Sequence, residues 1–340
     1  MKRAVIVEPY RVEIEDAEVP TPKAGEVLLK TLVTGIAAGT EMNLYRGTNP
    51  DLVRRRWGTN WTYPMYPGQE HVGVVVDHGP GASGPPAGTR VLGYAKHAEY
   101  SVVQANNVVQ LPDGLDNETA TLGMFGTTGL HGVRRARVEY GDSVAVVGMG
   151  VIGQFAAQHA RLSGAAITIA VDPDPWRLEV ARRLGATRTI NPDEEDAVAV
   201  VTELTGIGAD AVVETAGVPS AVPLALKLAR SRGRVSIVGW HLKPVELVLA
   251  EDFMFKELDV FASRGSGMNE EAPEEILRWS ATGNRQKVVD YMAEGRLLTD
   301  GLVTHVLPFE DISKAYEIVD KRTEPSLQIV LKWADISETR

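Results

Sequence analysis

The chain has 340 residues, of which 44% are hydrophobic and 24% charged, and it carries a net charge of −10 and no cysteine. This length suggests about two domains, and the negative charge disfavours nonspecific binding to nucleic acid or anionic lipid. The lack of cysteine excludes disulfides, thiol nucleophiles and zinc sites built on thiolates. We expect no signal peptide and no membrane-spanning segment, and therefore a cytoplasmic protein.

The first part of the chain is predicted to be rich in β-strands. Short hydrophobic or alternating runs indicate strands at residues 4–8, 12–14 and 26–34, separated by turn-forming residues. The segment 36–47 is interpreted as irregular, and a polar, aromatic loop follows it. Such a loop suits a lid or a subunit contact, or it folds back onto its own domain. Its aromatic and polar members are Arg54, Arg55, Arg56, Trp57, Asn60, Trp61 and Tyr63.

Helices and strands alternate from residue 118 onward, and residues 143–172 form the clearest unit there. A hydrophobic strand leads into Gly148, Gly150 and Gly153, a helical pattern follows, and a second strand ends at Asp172. This order of strand, glycine turn, helix, strand and acid is typical of a dinucleotide site. In such a site Gly148 permits the turn, Gly150 lets the backbone approach a pyrophosphate, and Gly153 lets the helix pack on the strand.

The residues around this glycine turn predict how a dinucleotide would bind. The helix that starts at Val151 and Ile152 offers unpaired N–H groups and a partial positive charge to the phosphates. Asp172 can accept hydrogen bonds from both ribose hydroxyls and repels a 2′-phosphate, so it favours NAD over NADP. Arg177 is the nearby residue that would instead pair with a 2′-phosphate.

The rest of the alternating region predicts a doubly wound parallel sheet of about six strands. Because ligands bind such sheets at the carboxyl ends of the strands, residues at two of these ends are predicted to line the nicotinamide end of the cofactor. They are Thr215, Ala216, Gly217, Gly239 and Trp240. Further along, we predict helices near residues 274–278, 286–294 and 308–319 and a closing strand at 327–331.

Four short motifs in chain order resemble those of a known family. Gly35-Ile36 with Gly39-Thr40-Glu41 is similar to G-[IV]-C-G-[ST]-D, and Gly68-Gln69-Glu70 with Gly73 is similar to G-H-E-x-x-G. Ala98-Glu99-Tyr100 and Thr127-Thr128-Gly129 are similar to A-E-Y and [ST]-T-G. Together with the glycine turn they resemble the medium-chain dehydrogenase/reductase superfamily, which includes the alcohol dehydrogenases.

The resemblance implies an α/β fold with two domains. Residues 1–120 and 266–340 would form a GroES-like β-barrel catalytic domain, and residues 121–265 a Rossmann-type NAD-binding domain. It also implies that Thr128 contacts the cofactor. Relatives pair through edge strands near residues 257–262, so we expect a homodimer or homotetramer.

The chain departs from the family at its metal site. The cysteine ligand of the family falls on Ala38 and the histidine ligand on Gln69, so that only Glu70 of the catalytic metal set remains. The four-cysteine structural zinc lobe is missing. The chain therefore resembles a zinc-independent branch with no metal ligand. The alternative is a rebuilt metal site that uses Glu41, Glu70, His71 or His97.

Without zinc, side chains must move the alcohol proton and polarise the carbonyl oxygen. Thr40 matches the family residue that passes this proton on, although Asn43 replaces the relay histidine that often follows. Glu70, Lys96 and His97 are the other catalytic candidates, as proton-transfer or oxyanion groups. Glu70 can instead be a structural hydrogen-bonding residue, and Lys96 and His97 can be surface residues.

Three functions remain open from the sequence. The first is an NAD-dependent, zinc-independent oxidoreductase that interconverts a secondary alcohol, such as a polyol, cyclitol or sugar derivative, with its ketone. The second is a quinone or enoyl reductase, a reaction for which zinc-free relatives usually prefer NADPH. The third is a non-catalytic nucleotide-binding protein. In each case we expect a small-molecule ligand and neither nucleic acid nor membrane as partner.

Overall fold

A computed structural model describes residues 1–53, 61–265 and 279–333. Residues 54–60 of the predicted lid and the predicted helix at 274–278 lie outside these ranges. Within them, no helix combines the length and the hydrophobicity needed to cross a lipid bilayer.

The chain divides into two compact units, and the second is inserted into the first. The C-terminal part of unit 1 begins later than the predicted residue 266, because residues up to Val288 group with unit 2. One reason is local: the Arg134 guanidinium lies 3.9 Å from the ring centre of Trp279 within unit 2. Unit 1 comprises Met1–Gly123, Val289–Glu294 and Leu302–Arg340, and unit 2 comprises Met124–Val288 and Gly295–Gly301.

The secondary structure follows the predicted alternation in most places. The strands are β1 (Lys2–Glu8), β2 (Arg11–Asp16), β3 (Glu26–Gly35), β4 (Glu70–His78), β5 (Arg90–Tyr94), β6 (Tyr100–Gln104), β7 (Val109–Gln110), β8 (Ser143–Val147), β9 (Ile167–Val171), β10 (Arg188–Ile190), β11 (Ala209–Glu214), β12 (Ala229–Ile237), β13 (Asp259–Ala262), β14 (Val303–Pro308) and β15 (Gln328–Lys332). The helices are α1 (Ala38–Tyr45), α2 (Pro50–Val53), α3 (Asn117–Ala120), α4 (Gly123–Arg135), α5 (Val151–Leu162), α6 (Pro175–Arg183), α7 (Ala197–Thr205), α8 (Ala221–Leu228), α9 (Ala281–Ala293) and α10 (Ile312–Lys321).

In unit 1 the central element is β3, of whose ten residues seven are buried. It pairs antiparallel with β4 along most of its length, and with β6 and β15 at its two ends. The sheet of this unit has the order β14-β15-β3-β4-β5-β7, with β6 joined to β3. The closing strand predicted at residues 327–331 is therefore confirmed as β15, and it joins the sheet that carries the motifs at the ends of β3 and β4.

Two predictions for unit 1 are wrong. The segment 36–47 is not irregular, because helix α1 forms there and buries Met42, Leu44 and Tyr45. The helix predicted from residue 308 begins later: Val303–Pro308 is strand β14, a short 3₁₀ turn covers Phe309–Asp311, and α10 follows.

Unit 2 contains the predicted doubly wound sheet. Its strands run in the order β10-β9-β8-β11-β12-β13, and each neighbouring pair is parallel. The first strand of the unit, β8, thus lies between the second and the fourth, and the strand order reverses there. All residues of β8 are buried, as expected for a strand covered by helices on both faces.

Candidate active site

The glycine turn of unit 2 has the geometry that each of its glycines predicts. Gly148 has a φ of +93°, and a Cβ there would lie 2.7 Å from the backbone nitrogen of Ala216. A Cβ on Gly153 would lie 1.9 Å from the carbonyl oxygen of Gly148. At Gly150, by contrast, a Cβ would meet no described atom within 4 Å. The protein therefore leaves space in front of Gly150, where a pyrophosphate would approach the backbone.

Helix α5 starts at this space. Its N-cap is Gly150, and no side chain among the described residues caps it. The first N–H groups of the helix, at Val151 and Ile152, therefore have no intrahelical acceptor. A phosphate can accept hydrogen bonds from such groups and is attracted by the positive end of the helix dipole.

Asp172 lies directly beside the glycine turn. Its Oδ2 accepts a hydrogen bond from the Met149 N–H at 2.6 Å, and its Oδ1 accepts one from the Asp174 N–H at 2.8 Å. These bonds fix the carboxylate, and each oxygen retains a second acceptor position for a ribose hydroxyl. Arg177 lies beside Asp174, with 3.5 Å between Nε and Oδ2, and this Nε has no hydrogen-bond partner among the described residues.

The remaining predicted cofactor residues support this turn or border it. The Thr215 hydroxyl donates to the carbonyl oxygen of Gly148 at 2.7 Å, which makes Thr215 a positioning residue for the turn. A Cβ on Gly239 would lie 2.4 Å from the Gly217 nitrogen, so these two strand ends are in close contact. Trp240 is 41% exposed beside them. The Thr128 hydroxyl donates within its own helix, to the Met124 carbonyl at 3.2 Å.

Unit 1 contains a buried carboxylate–histidine pair. His97 Nε2 lies 2.9 Å from Glu41 Oε2, and both side chains are essentially inaccessible to solvent. The other ring nitrogen of His97 lies 2.8 Å from the hydroxyl of Thr34. Both nitrogens of His97 are therefore engaged. The interpretation of His97 as a surface residue is wrong, because its side chain is fully buried. Its role as a catalytic candidate stays a prediction.

Glu41 is the centre of this buried network. Its Oε1 accepts a hydrogen bond from the Ala37 N–H at 2.9 Å, and its Oε2 also accepts one from the Tyr316 hydroxyl. Burial alone would raise the pKa of Glu41, but the charge and hydrogen bond of His97, with the other donors, outweigh it and lower the pKa. Glu41 thus holds the start of α1 through its hydrogen bond to the Ala37 N–H.

Glu70 is the buried acid of the pattern that resembles G-H-E-x-x-G. It is only 3% exposed, and its Oε2 has no hydrogen-bond partner among the described residues. Burial, together with the negative charge of Glu41, raises the pKa of Glu70 well above its ordinary value. Directly opposite Glu70 in the β4–β5 pairing is Tyr94, which is 50% exposed. Burial of the phenol and the charge of Glu70 raise the pKa of Tyr94.

Thr40 and Lys96 are the candidates with accessible surface. Thr40 lies in the first turn of α1, next to the buried Glu41. Partial burial lowers the pKa of Lys96, and the negative charge of Glu41 opposes that shift. A lysine with a lowered pKa can exchange a proton closer to neutral pH.

The described His, Asp and Glu side chains are not grouped as a metal ion would need. Across residues 1–53, 61–265 and 279–333, no group of three or more His, Asp or Glu side chains is placed to hold a metal ion. His71, one candidate ligand, is fully buried with Nε2 at 2.8 Å from the Thr31 hydroxyl. Burial lowers its pKa to about 3. The described residues therefore do not fit a zinc ion.

Two family models match the chain in the order of its domains. Residues 23–113 match the alcohol dehydrogenase GroES-like domain, and residues 151–282 match a model described as zinc-binding dehydrogenase. The chain belongs to the medium-chain dehydrogenase/reductase superfamily. Members of this superfamily depend on NAD or NADP, and this dehydrogenase is accordingly an oxidoreductase acting on CH–OH groups.

Similar proteins span nearly the whole dehydrogenase chain. An L-threonine 3-dehydrogenase of Bacillus velezensis is 28% identical over 92% of this chain and 93% of its own. A D-guloside 3-dehydrogenase of Shigella flexneri is 28% identical over 97% of this chain and 99% of its own. The crystal structure of a 2R,3R-butanediol dehydrogenase from Bacillus subtilis is 26% identical, with a TM-score of 0.80 over 97% of this chain and 99% of that chain.

Sequence reasoning missed several polar residues at the two sites of the dehydrogenase. Tyr94 and Tyr316 are isolated tyrosines in sequence, and only the pairing of β4 with β5 and the packing of α10 bring them to Glu70 and Glu41. A buried pair formed by Glu214 and His241 in unit 2 was also missed. The alternation of strands and helices predicts where each strand ends. It does not predict which residue of a later loop, such as His241, lies beside the end of another strand.

Proposed function

We propose that this dehydrogenase uses NAD to oxidise a secondary alcohol of a polyol, cyclitol or sugar derivative to its ketone, without zinc. The carbinol carbon loses a hydride to NAD, the hydroxyl loses a proton, and the C–O single bond becomes a carbonyl. The reverse reaction uses NADH and a proton.

One observation carries the choice of NAD. The Asp172 carboxylate is fixed by two backbone N–H groups beside the glycine turn, with acceptor positions left for two ribose hydroxyls. A 2′-phosphate at this position would meet a buried negative charge. Arg177, the nearby residue that would favour a 2′-phosphate, has its Nε 3.5 Å from Asp174 Oδ2.

Two observations support a hydroxylated substrate. The accessible candidate side chains of unit 1 are hydroxyls and an amine, namely Thr40, Tyr94 and Lys96, which suit hydrogen bonds to several hydroxyl groups. The names of the similar proteins point the same way, since threonine 3-dehydrogenase, D-guloside 3-dehydrogenase and butanediol dehydrogenase each act on a secondary alcohol.

The chain's own residues divide the work as follows. The N–H groups at Val151 and Ile152 hold the phosphates, and Asp172 holds the adenosine ribose. When bound, NAD supplies the hydride acceptor. Thr40 passes the alcohol proton on, and Lys96 accepts it, because a lysine with a lowered pKa is a base within reach of neutral pH. Burial raises the pKa of Glu70 well above its ordinary value, and in its protonated form the carboxyl would donate an O–H to the developing carbonyl oxygen.

A reaction without zinc depends on the side chains of Thr40, Lys96 and Glu70, since Ala38 and Gln69 stand where the family has its cysteine and histidine ligands.

A cytoplasmic location remains a prediction.

A substrate screen tests the proposal. Polyols, cyclitols, sugars and enones are each incubated with NAD(H) and NADP(H), and reduced nicotinamide is followed by absorbance. We expect turnover with NAD and a secondary polyol or sugar alcohol, and unchanged rates after treatment with a chelator. Turnover of enones with NADPH alone, or a rate that chelation abolishes and zinc restores, would overturn it.

A further inference from the structure

A buried carboxylate–imidazole pair lies at the strand ends of unit 2. Glu214 is the last residue of β11, and its side chain is fully buried. Its Oε1 accepts a hydrogen bond from the Gly217 N–H at 2.9 Å, and its Oε2 lies 2.8 Å from His241 Nε2. Burying a carboxylate is unfavourable unless it is hydrogen-bonded, and these two donors meet that need.

The pair fixes the tautomer of the imidazole ring. An ionised carboxylate only accepts hydrogen bonds, so the proton of the neutral ring is on Nε2, and Nδ1 carries a lone pair. Nδ1 is buried and has no hydrogen-bond partner among the residues that the structure describes. The ring as a whole is 12% exposed. A buried acceptor of this kind is rarely left unpaired in a native protein.

The position of the pair suggests the missing donor. His241 follows β12, and Glu214 ends β11; both strands lie on the opposite side of β8 from β9, after which Asp172 comes. A dinucleotide lies across the point where the strand order reverses. Since Asp172 is assigned to the adenosine ribose, a donor near β11 and β12 belongs to the nicotinamide half.

We propose that His241 is a further cofactor-binding residue of this dehydrogenase. Its Nδ1 accepts a hydrogen bond from an O–H or N–H group of the nicotinamide nucleoside, and Glu214 is the positioning residue that holds the required tautomer. The inference rests on the proposed use of NAD. It adds a contact that neither the glycine turn nor Asp172 provides.

Binding measured by calorimetry tests the contact. NAD contains both halves of the dinucleotide, whereas AMP contains only the adenosine half, so His241→Phe should weaken NAD binding about three- to tenfold and leave AMP binding unchanged. The matched control is His305→Phe, since His305 in unit 1 also faces an acid, with 3.5 Å between Nε2 and Glu324 Oε1. This control should bind both ligands as the wild type does.

A second variant tests the role of Glu214. In Glu214→Gln the amide oxygen must accept from Gly217, so the NH₂ group faces His241 and moves the ring proton to Nδ1. We expect NAD binding to weaken as in His241→Phe, and long-range ¹H–¹⁵N NMR spectra of histidine-labelled protein to show the changed tautomer. An unchanged tautomer in this variant, with normal NAD binding, would refute the positioning role.

The outcomes separate the two proposals. If the wild type binds NAD and His241→Phe binds it equally well, or loses NAD and AMP to the same extent, the contact proposed here is wrong and the use of NAD stands. If the wild type binds AMP but not NAD, both the proposed cofactor and this contact are wrong.

Discussion

At the scale of single residues, the proposed preference for NAD over NADP depends on one carboxylate. Asp172→Ala removes both the acceptor for the ribose hydroxyls and the charge that repels a 2′-phosphate. We expect NAD binding to weaken by about ten- to a hundredfold, because hydrogen bonds to charged groups contribute about 1.5–3 kcal/mol, and the preference for NAD over NADP to shrink. Michaelis constants for both cofactors measure this, and if neither constant changes, Asp172 does not bind the ribose.

Two buried acids of unit 1 should affect stability in opposite directions. The pKa of Glu70 is raised in the folded protein, so the folded state retains a proton that the unfolded state releases, and stability falls as pH rises above the unfolded pKa. Glu70→Gln removes this effect. We expect a higher Tm than the wild type at neutral pH, with the difference disappearing near pH 4; each kcal/mol corresponds to about 2–4 °C.

Glu41 provides the control of opposite sign. Its pKa is lowered by His97 and its other donors despite burial, so its stabilisation is present above the unfolded pKa and is lost as pH falls through the folded pKa. Glu41→Gln should therefore lower the Tm at neutral pH and converge with the wild type in acid. A Tm for Glu70→Gln that lies below the wild type at neutral pH would contradict the assignment of a raised pKa.

The place of a residue in the site was predictable from sequence where only one residue type suits the local backbone. Gly148, Gly150, Gly153 and Asp172 belong to a local pattern in which spacing encodes the turn, and the geometry of that turn agrees with each expected role. His97 was not predictable in this way. Its burial results from partners at positions 34 and 41, and no local pattern signals those contacts.

At the scale of elements, the glycine turn offers a matched pair of substitutions. A Cβ on Gly153 would lie 1.9 Å from the Gly148 carbonyl, whereas a Cβ on Gly150 meets nothing described within 4 Å. We expect Gly153→Ala to destabilise the protein by about 1–3 kcal/mol and to lose NAD binding. Gly150→Ala should lose NAD binding at an unchanged Tm, because its methyl group enters only the space for the pyrophosphate.

Thermal melts and NAD titrations of the two variants distinguish these effects. Normal NAD binding by Gly150→Ala would show that the phosphates lie elsewhere.

The α5 helix and its strands were predictable, since their hydrophobic periodicity is strong. Helix α1 was not, because its sequence begins with alanine and glycine, and what holds it is the contact of Glu41 with Ala37 and the burial of Met42 and Tyr45.

At the scale of the whole molecule, β13 is the edge strand of the described sheet in unit 2. Val260 on this strand is 40% exposed, and Phe255 just before it is 79% exposed. We expect a homodimer that pairs through this edge, so Val260→Lys should dissociate it, as measured by light scattering after size-exclusion chromatography. Val306→Lys, on the edge strand β14 of unit 1 and 47% exposed at that residue, is the control and should remain dimeric.

A monomeric wild type would show that there is no such interface. Dissociation by Val306→Lys but not by Val260→Lys would show that the interface lies elsewhere.

The proposed independence from zinc also concerns the whole protein. Elemental analysis of the purified enzyme should find no stoichiometric zinc, and chelators should leave its activity intact, because Ala38 and Gln69 cannot coordinate a metal ion as cysteine and histidine do. One equivalent of zinc per chain with activity that depends on it would refute this expectation.

The pairing of β15 with β3 has a consequence for synthesis of the chain on the ribosome. Val330 to Lys332 bind Val33 to Gly35 across nearly the full sequence, whereas the sheet of unit 2 uses strands that are made in one continuous stretch. At translation rates of about 5–20 residues per second, β15 is made on the order of 15–60 s after β3, although β4 and β6 follow β3 much sooner. The nucleotide-binding half can therefore mature while the other half is still an open sheet, which a nascent-chain protease-protection assay would reveal.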